Sequence, residues 1–229
     1  MLQEIAPNLW HLQHEFKVLG VTATTRMTVV RFEDGRLWLH SPVPLSTPVR
    51  EQLAGLGKVA FIVAPSKMHH LFAGDAARAF PDAQLYGARG LTKKRPDLEQ
   101  LRTLEPGIEA AWANDLEQVF IKGLPACNET AWYHKGSRTL ILTDLCQWWT
   151  GEVGMFGRMY AMLTGVSGRL AVPLTVRKSV KDRAAFDDSL RQVLEWPFER
   201  VIVAHNAIVD SGAHAALEHA FADFTKARG

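Results

Sequence analysis

The sequence predicts an α/β protein in which two β-sheets pack together beneath layers of helices. Both halves of the chain contain β-branched and aromatic runs that are followed by helical segments, which is typical of α/β layers. The runs at 59–64 and 200–204 are almost wholly apolar, as expected of strands that are covered on both faces. With 229 residues, of which 47% are hydrophobic, the chain is long enough to bury a core without disulfides.

The first half predicts strands followed by a βαβ unit. β-branched and aromatic residues predict strands at 9–16 and 26–32, and Asp34-Gly35 indicates a hairpin turn before the next strand. Thr47 is the predicted N-cap of a helix that has Pro48 at its first position. The remaining elements are the strand at 36–41, the end of this helix at Gly57, a buried strand at 59–64, a helix at about 70–80 and a strand at 83–87.

The second half also places strands before helices, around a less regular segment. Residues 148–168 are rich in glycine, methionine and aromatic side chains and have weak helical character. We therefore expect one domain over 1–229, with a helical lid or insertion at about 148–180. The regular elements predicted here are strands at 118–122, 130–134, 139–143 and 200–204, a helix at 182–196 capped by Asp182, and a helix at 213–224.

Composition and charge argue against several classes of protein. Lysine plus arginine number 26 and aspartate plus glutamate number 24, and this near balance argues against a dedicated nucleic-acid-binding protein. Two cysteines cannot form a disulfide scaffold or a four-cysteine zinc site. The N-terminus has no signal-peptide pattern, and no apolar stretch is long enough to span a membrane. We expect a cytoplasmic protein with a small-molecule substrate and with neither a nucleic-acid nor a membrane partner.

Polar side chains lie where several predicted strands end. His69 and His70 follow the first buried strand, Asp144 follows a central strand, and His205 follows the last strand. Functional groups gather at strand ends in α/β proteins, and histidine with aspartate is a ligand set for zinc or iron. Taken singly, each histidine is also explained as a hydrogen-bonded loop residue and the aspartate as a turn residue. If they converge, they form a metal site.

The order of these elements resembles the metallo-β-lactamase superfamily of metal-dependent hydrolases. Residues 65–70 stand where that family has a His-x-His-x-Asp-His motif, and 125–127 where it has Pro-Gly-His. Residues 143–145 and 204–206 match its later Asp and His segments. The resemblance implies a four-layer αβ/βα sandwich of two mixed β-sheets flanked by helices. The segments LHSPVPL, APSKMHHLF and TLILTDL are similar to a divergent branch described only as a domain of unknown function.

The metal motif departs from that family at several positions. Pro65 and Lys67 stand where the first two histidines would be, and Cys127 stands at the third. His69 takes the place of the motif aspartate. The resemblance therefore implies that the first of the family's two metal sites is lost.

The second site of the family is largely retained. It keeps His70, Asp144 and His205, with His69 in place of a carboxylate. This set implies at most one divalent metal, which is zinc or else iron or manganese, and a hydrolase in which metal-activated water attacks an ester-type bond. The alternative is a pseudoenzyme whose metal site has collapsed, which holds no metal and binds a ligand or another protein.

Lys67, Glu129 and Cys127 are further candidates for the site. The ammonium of Lys67 could neutralise Asp144 beside the lost site, or it could point to solvent. Glu129 is a candidate general base with His134 as its neighbour, although His134 also fits a surface turn. Cys127 is a ligand or a nucleophile on one interpretation and inert packing on the other.

Aromatic and apolar residues follow Asp144 closely. Trp148 and Trp149 would form an apolar wall if Asp144 lines a pocket. Core packing of this segment is the alternative. The residues that come next, Met155, Phe156, Met159 and Tyr160, indicate a hydrophobic lid or a homodimer surface.

Overall fold

The computed structural model describes residues 1–18, 21–105, 111–151 and 154–226, which form two β-sheets and several helices. The larger sheet contains, in spatial and chain order, β1 (Gln3–Ala6), β2 (Leu9–Val18), β3 (Val21–Arg31), β4 (Arg36–His40), β5 (Lys58–Ala64), β6 (Gln84–Gly87) and β7 (Arg102–Thr103). The smaller sheet contains β8 (Leu116–Phe120), β9 (Thr130–His134), β10 (Thr139–Ile141), β11 (Arg200–Ile202) and β12 (Ile208–Val209), in the spatial order β12-β11-β10-β9-β8.

The helices of the described ranges connect and cover these strands. Residues 19–20, 106–110, 152–153 and 227–229 of the predicted domain lie outside these ranges. Within them, no helix combines the length and the apolar character that crossing a bilayer requires. The helices are α1 (Thr47–Leu56), α2 (Ala73–Ala79), α3 (Leu91–Lys94), α4 (Met155–Thr164), α5 (Leu174–Ser179), α6 (Arg183–Leu194) and α7 (Ala213–Lys226).

Buried clusters show how the layers stack. One cluster joins α1 and α2 to the larger sheet, and another joins the smaller sheet to α6 and α7. A third contains residues of both sheets and fills the space between them. Its centre is aromatic: the Trp132 ring lies 5.0 Å from Trp38 and 5.6 Å from Trp112 between ring centroids. Large aromatic side chains bury much area for each residue, which stabilises this contact between the sheets.

Both sheets are mixed, as the resemblance to metallo-β-lactamases implies. β1 to β4 pair antiparallel, whereas β4 to β7 pair parallel. In the smaller sheet β10 and β11 are parallel, with Thr139 opposite Arg200, and the other neighbours are antiparallel. The αβ/βα sandwich of two mixed sheets flanked by helices is therefore confirmed.

The loop after β5 differs from the helix predicted at 70–80. The Ser66 hydroxyl accepts the backbone N–H groups of Met68 (3.2 Å) and His69 (3.1 Å), so the chain turns before it can become helical. Helix α2 begins only at Ala73. His69 and His70 consequently lie on a loop at the carboxyl end of a buried strand.

Most other boundaries differ by one or two residues, whereas β3 begins at Val21, ahead of the start predicted at 26. The N-cap of α1 is Ser46 rather than Thr47, and Asp182 caps α6 as predicted by accepting the Ala185 N–H at 3.0 Å. The strand predicted at 118–122 lies at Leu116–Phe120. The short elements β1, β7, β12 and α3 are not predicted from the sequence, because segments of two to four residues carry no measurable periodicity.

Candidate metal centre

Three side chains from separate loops converge at one edge of the two sheets. His69 follows β5 of the larger sheet, Asp144 follows β10, and His205 follows β11 of the smaller sheet. Their candidate ligand atoms all lie within 4.8 Å of one another. His69 Nε2 is 3.3 Å from Asp144 Oδ2, and His205 Nε2 is 3.1 Å from Asp144 Oδ1. We call these three residues the His–Asp–His centre.

Both imidazole rings are oriented by contacts at Nδ1. His205 Nδ1 lies 2.5 Å from the backbone carbonyl of Thr24, and because a carbonyl can only accept, Nδ1 carries the proton of this hydrogen bond. The other ring nitrogen, Nε2, faces Asp144. His69 Nδ1 lies 2.9 Å from Ser41 Oγ and 3.5 Å from Thr25 Oγ1. Metal-binding histidines are commonly held in this way, with one nitrogen bonded to the protein and the other directed at the ion.

The carboxylate of Asp144 is buried but strongly supported. Gln147 Nε2 donates to its Oδ1 at 3.2 Å. Burial acts to raise the pKa of Asp144, but His69 and His205 outweigh it and hold that pKa well below its usual value. Burial acts to lower the pKa of His69, and the charge of Asp144 outweighs it and raises that pKa. The group therefore carries an ionised carboxylate between two imidazoles.

Glu129 holds the loop that carries Asp144 and does not face the cavity. Its Oε1 accepts the Thr143 N–H at 2.6 Å, and its Oε2 accepts the N–H groups of Asp144 (2.9 Å) and Leu145 (2.8 Å). Burial, followed by the charge of Asp144, raises the pKa of Glu129 to about 7. The prediction of Glu129 as a general base is wrong, because both of its oxygens are occupied by the backbone.

Arg26 supports the opposite loop, and the sequence analysis did not single it out. Its guanidinium is buried and donates to the carbonyls of Val203 (2.7 Å), Ala207 (2.9 Å) and Asn206. Asn206 adopts a left-handed backbone with φ of 60°. The arginine thus ties β3 to the turn that presents His205. An arginine in the middle of a strand, beside Thr25 and Met27, was the available signal.

His70 does not join the centre. Its Nδ1 lies 3.3 Å from Nη1 of Arg95, which also donates to the His70 carbonyl at 3.0 Å. Burial, followed by the charges of Lys94 and Arg95, lowers the pKa of His70 to about 4. The geometry therefore leaves His70 outside the group of atoms that could share a metal, although His70 lines the neighbouring cavity.

Lys67 does not neutralise Asp144. Its Nζ donates to the Pro125 carbonyl at 3.1 Å, while the described ion pairs of Asp144 are those with His69 and His205. The predicted Lys–Asp pair and a catalytic role for Lys67 are corrected accordingly. Two imidazoles already meet the charge of the carboxylate, so no ammonium group is needed there.

Cys127 and His134 are also outside the centre. Burial, followed by the charges of Asp144 and Glu129, raises the pKa of Cys127 to about 12, which favours the packing interpretation over a thiolate nucleophile. His134 ends β9, with its Nδ1 2.7 Å from Ser137 Oγ in the hairpin turn. It is not a neighbour of Glu129, since Glu129 lies before the other end of that strand.

A cavity of about 320 Å³ opens beside the centre. The predicted wall of Trp148 and Trp149 is not part of its lining. Trp149 packs against the centre instead, because the indole lies 5.9 Å from the His205 ring and 5.0 Å from the Tyr160 ring between centroids. Of the two predicted tryptophans, Trp149 is therefore the one that contacts the centre. The cavity is lined by His69, Asp144 and His205, by the apolar side chains Phe16, Pro42, Met68, Leu71 and Phe72, and by Thr25, Ser41, His70 and Lys94.

Comparison with solved structures agrees with this fold. A metallo-β-lactamase from Pontibacter korlensis superimposes with a TM-score of 0.67 and 12% identity, with 99% of each chain covered. The structure described as TMB-1 gives a TM-score of 0.68 at 16% identity and covers 100% of this chain and 98% of that one. The Flv1 flavodiiron core from Synechocystis sp. PCC6803 gives 0.64 at 10% identity, over 99% of this chain and 60% of that one. At these identities the likeness establishes the metallo-β-lactamase fold alone.

The family is set by a sequence match. Residues 7–150 match the model described as "Domain of unknown function (DUF4336)", and the chain belongs to that family. No curated protein matches the sequence. A divergent branch of the metallo-β-lactamase fold, as the motifs predict, is therefore confirmed.

Proposed function

We propose that the protein is a hydrolase that holds one divalent metal through His69, Asp144 and His205 and cleaves an ester-type bond of a small molecule. The observation that supports this proposal is the convergence of two imidazole Nε2 atoms on one buried carboxylate. Two nitrogens and an oxygen suit zinc, and also iron or manganese if water completes the coordination. Three protein ligands with space beside them are typical of catalytic rather than structural sites.

The donors fit such an ion in chemistry as well as in number. The Thr24 carbonyl bonds Nδ1 of His205, and Ser41 lies against Nδ1 of His69, so both Nε2 atoms are directed at the centre. The two imidazoles keep Asp144 ionised, as a ligand must be. A bound metal would lower the pKa of water toward neutrality and polarise the bond to be cleaved.

Other residues of the chain position the ligands and line the cavity. Glu129 and Gln147 hold the loop and the side chain of Asp144, and Arg26 holds the turn of His205. The apolar cavity walls exclude water and bind the acyl part of a substrate, while Lys94 supplies a positive charge.

The second candidate is a binding module without metal. It is favoured by the two contacts of Asp144 with histidines at 3.1 and 3.3 Å, which would satisfy the carboxylate if the rings are protonated. In this case the cavity would serve for binding only.

Metal content separates the two candidates. The untagged protein, prepared without chelator or affinity-metal resin, is expected to carry about one equivalent of metal and to hydrolyse a chromogenic ester. His205→Ala should lose both properties. His70→Ala is the matched control, because this neighbouring histidine lies outside the centre, and it should keep its metal. Fewer than ~0.2 equivalents, unchanged after reconstitution, would favour the binding module.

A further inference from the structure

Helix α4 presents its large apolar residues to solvent and its small residues to the protein. Its buried residues are Gly157, Ala161 and Thr164. A surface helix normally has the opposite arrangement, with the large apolar residues packed inward. The outward residues, which we call the α4 surface, are Met155 (75% exposed), Phe156 (51%), Met159 (48%), Met162 (71%) and Leu163 (67%).

The chain segment that contains α4 is basic. Residues 154–181 contain no aspartate or glutamate. Arg158 on α4 itself and Lys178 on the contacting helix α5 are both exposed. The basic residues of this segment are Arg158, Arg169, Arg177, Lys178 and Lys181.

We propose that the α4 surface binds an anionic lipid bilayer, with the helix lying in the plane of the interface. Methionine, phenylalanine and leucine side chains can be buried among acyl chains because they form no hydrogen bonds that would be lost there. Anionic headgroups complement the basic residues of this segment. Ten helical residues extend for about 15 Å, which suits a helix lying on a bilayer and is too short to cross one. This proposal replaces the expectation of no membrane partner.

A second copy of the chain fits the α4 surface less well. A two-fold interface centred on α4 would bring the basic residues of this segment from both copies together, and like charges repel each other.

The α4 surface is separate from the His–Asp–His centre. On the inner side of the helix Tyr160 contacts Trp149, which contacts His205, whereas the outward residues contribute none of the candidate ligands. Lipid binding therefore does not depend on the proposed hydrolase function, and the two ideas can fail independently.

Sedimentation with lipid vesicles tests this proposal on the full chain. Vesicles of phosphatidylcholine alone are compared with vesicles that also contain roughly one third phosphatidylglycerol. We expect binding to the anionic vesicles to be at least about tenfold tighter, and to weaken in about 0.5 M NaCl. Met162→Asp should weaken binding to anionic vesicles at least about fivefold.

Two further variants serve as controls. Ala54→Asp adds the same charge at an exposed position of α1 and should change binding by less than about twofold. Lys178→Gln should weaken binding to anionic but not to neutral vesicles. Circular dichroism checks that each variant is folded.

Three outcomes would overturn the proposal. These are no binding to either vesicle, equal binding to both, and a dimer in light scattering that Met162→Asp converts to a monomer. The last result would assign the α4 surface to self-association.

Discussion

Two neighbouring parts of the sheet edge are held together in different ways. On one part, His69, Asp144 and His205 keep polar atoms directed at one point. On the other part, Pro65 and Cys127 take positions where the resemblance to metallo-β-lactamases implies histidines, and main-chain bonds join the segments instead. The Lys67 N–H donates to the Cys127 carbonyl at 2.7 Å, and the Thr130 N–H donates to the Pro65 carbonyl at 3.0 Å.

This difference shows that the fold is kept where those histidines are absent. Backbone hydrogen bonds do not depend on side-chain identity, so they hold the loops together where ligands are absent. The retained part depends on particular side chains and on the residues behind them. Substitutions on the two parts should therefore have unequal effects.

The largest effect is expected for Asp144→Ala. It leaves two buried imidazoles without their carboxylate, and we expect a loss of about 3–5 kcal/mol in the free energy of unfolding of the metal-free protein. Metal affinity should fall by more than about 100-fold. Urea unfolding and metal titration measure the two quantities.

Lys67→Ala is the matched substitution on the other part. Because the side chain of Lys67 donates, among the described residues, to the Pro125 carbonyl alone, both quantities should stay within about 0.5 kcal/mol of the unsubstituted protein. Equal losses in the two variants would contradict the distinction between the two parts.

An intermediate effect is expected for Glu129→Gln. A glutamine amide places an N–H donor against at least one of the three backbone N–H groups that the carboxylate now accepts. We expect a loss of about 2 kcal/mol in the free energy of unfolding, measured in urea. Glu99→Gln, at an exposed position, is the control and should have little effect. Unchanged stability of Glu129→Gln would mean that this carboxylate does not support the Asp144 loop.

A separate effect concerns pH and lies away from the centre. Burial lowers the pKa of His134 from 6.5 to about 4, so the unfolded chain binds the proton first as the pH falls. Stability from this group is complete above pH 6.5 and is lost between pH 6.5 and 4, by roughly 3 kcal/mol.

His134→Gln should remove this part of the pH dependence. Urea unfolding at several pH values, compared between the two proteins, isolates it from the other titrating groups. Parallel stability curves would show that His134 does not titrate differently in the folded and unfolded states. Any pH dependence that remains can then be attributed to other groups, the centre among them.

Local pattern and the placement of motifs predicted the larger elements, and three of the four residues predicted as ligands lie in the centre. Apolar runs indicated β5 and β11, Asp182 indicated the start of α6, and the strand ends indicated Asp144 and His205. Among adjacent histidines the pattern could not separate His69 from His70. Ser66 turns the loop so that His69 enters the centre while His70 faces Arg95.

Residue type and periodicity are enough to predict which segments are strands or helices, since both depend on near neighbours. Residue type and periodicity could not predict the residues that support the ligands. The Ser41 hydroxyl and the Thr24 carbonyl contact histidines that are distant in the chain, and the Arg26 guanidinium holds the turn of His205 from another strand. Only the packing of the two sheets brings these groups within hydrogen-bonding distance. Only the packing, likewise, turns the small face of α4 inward and leaves its methionines exposed.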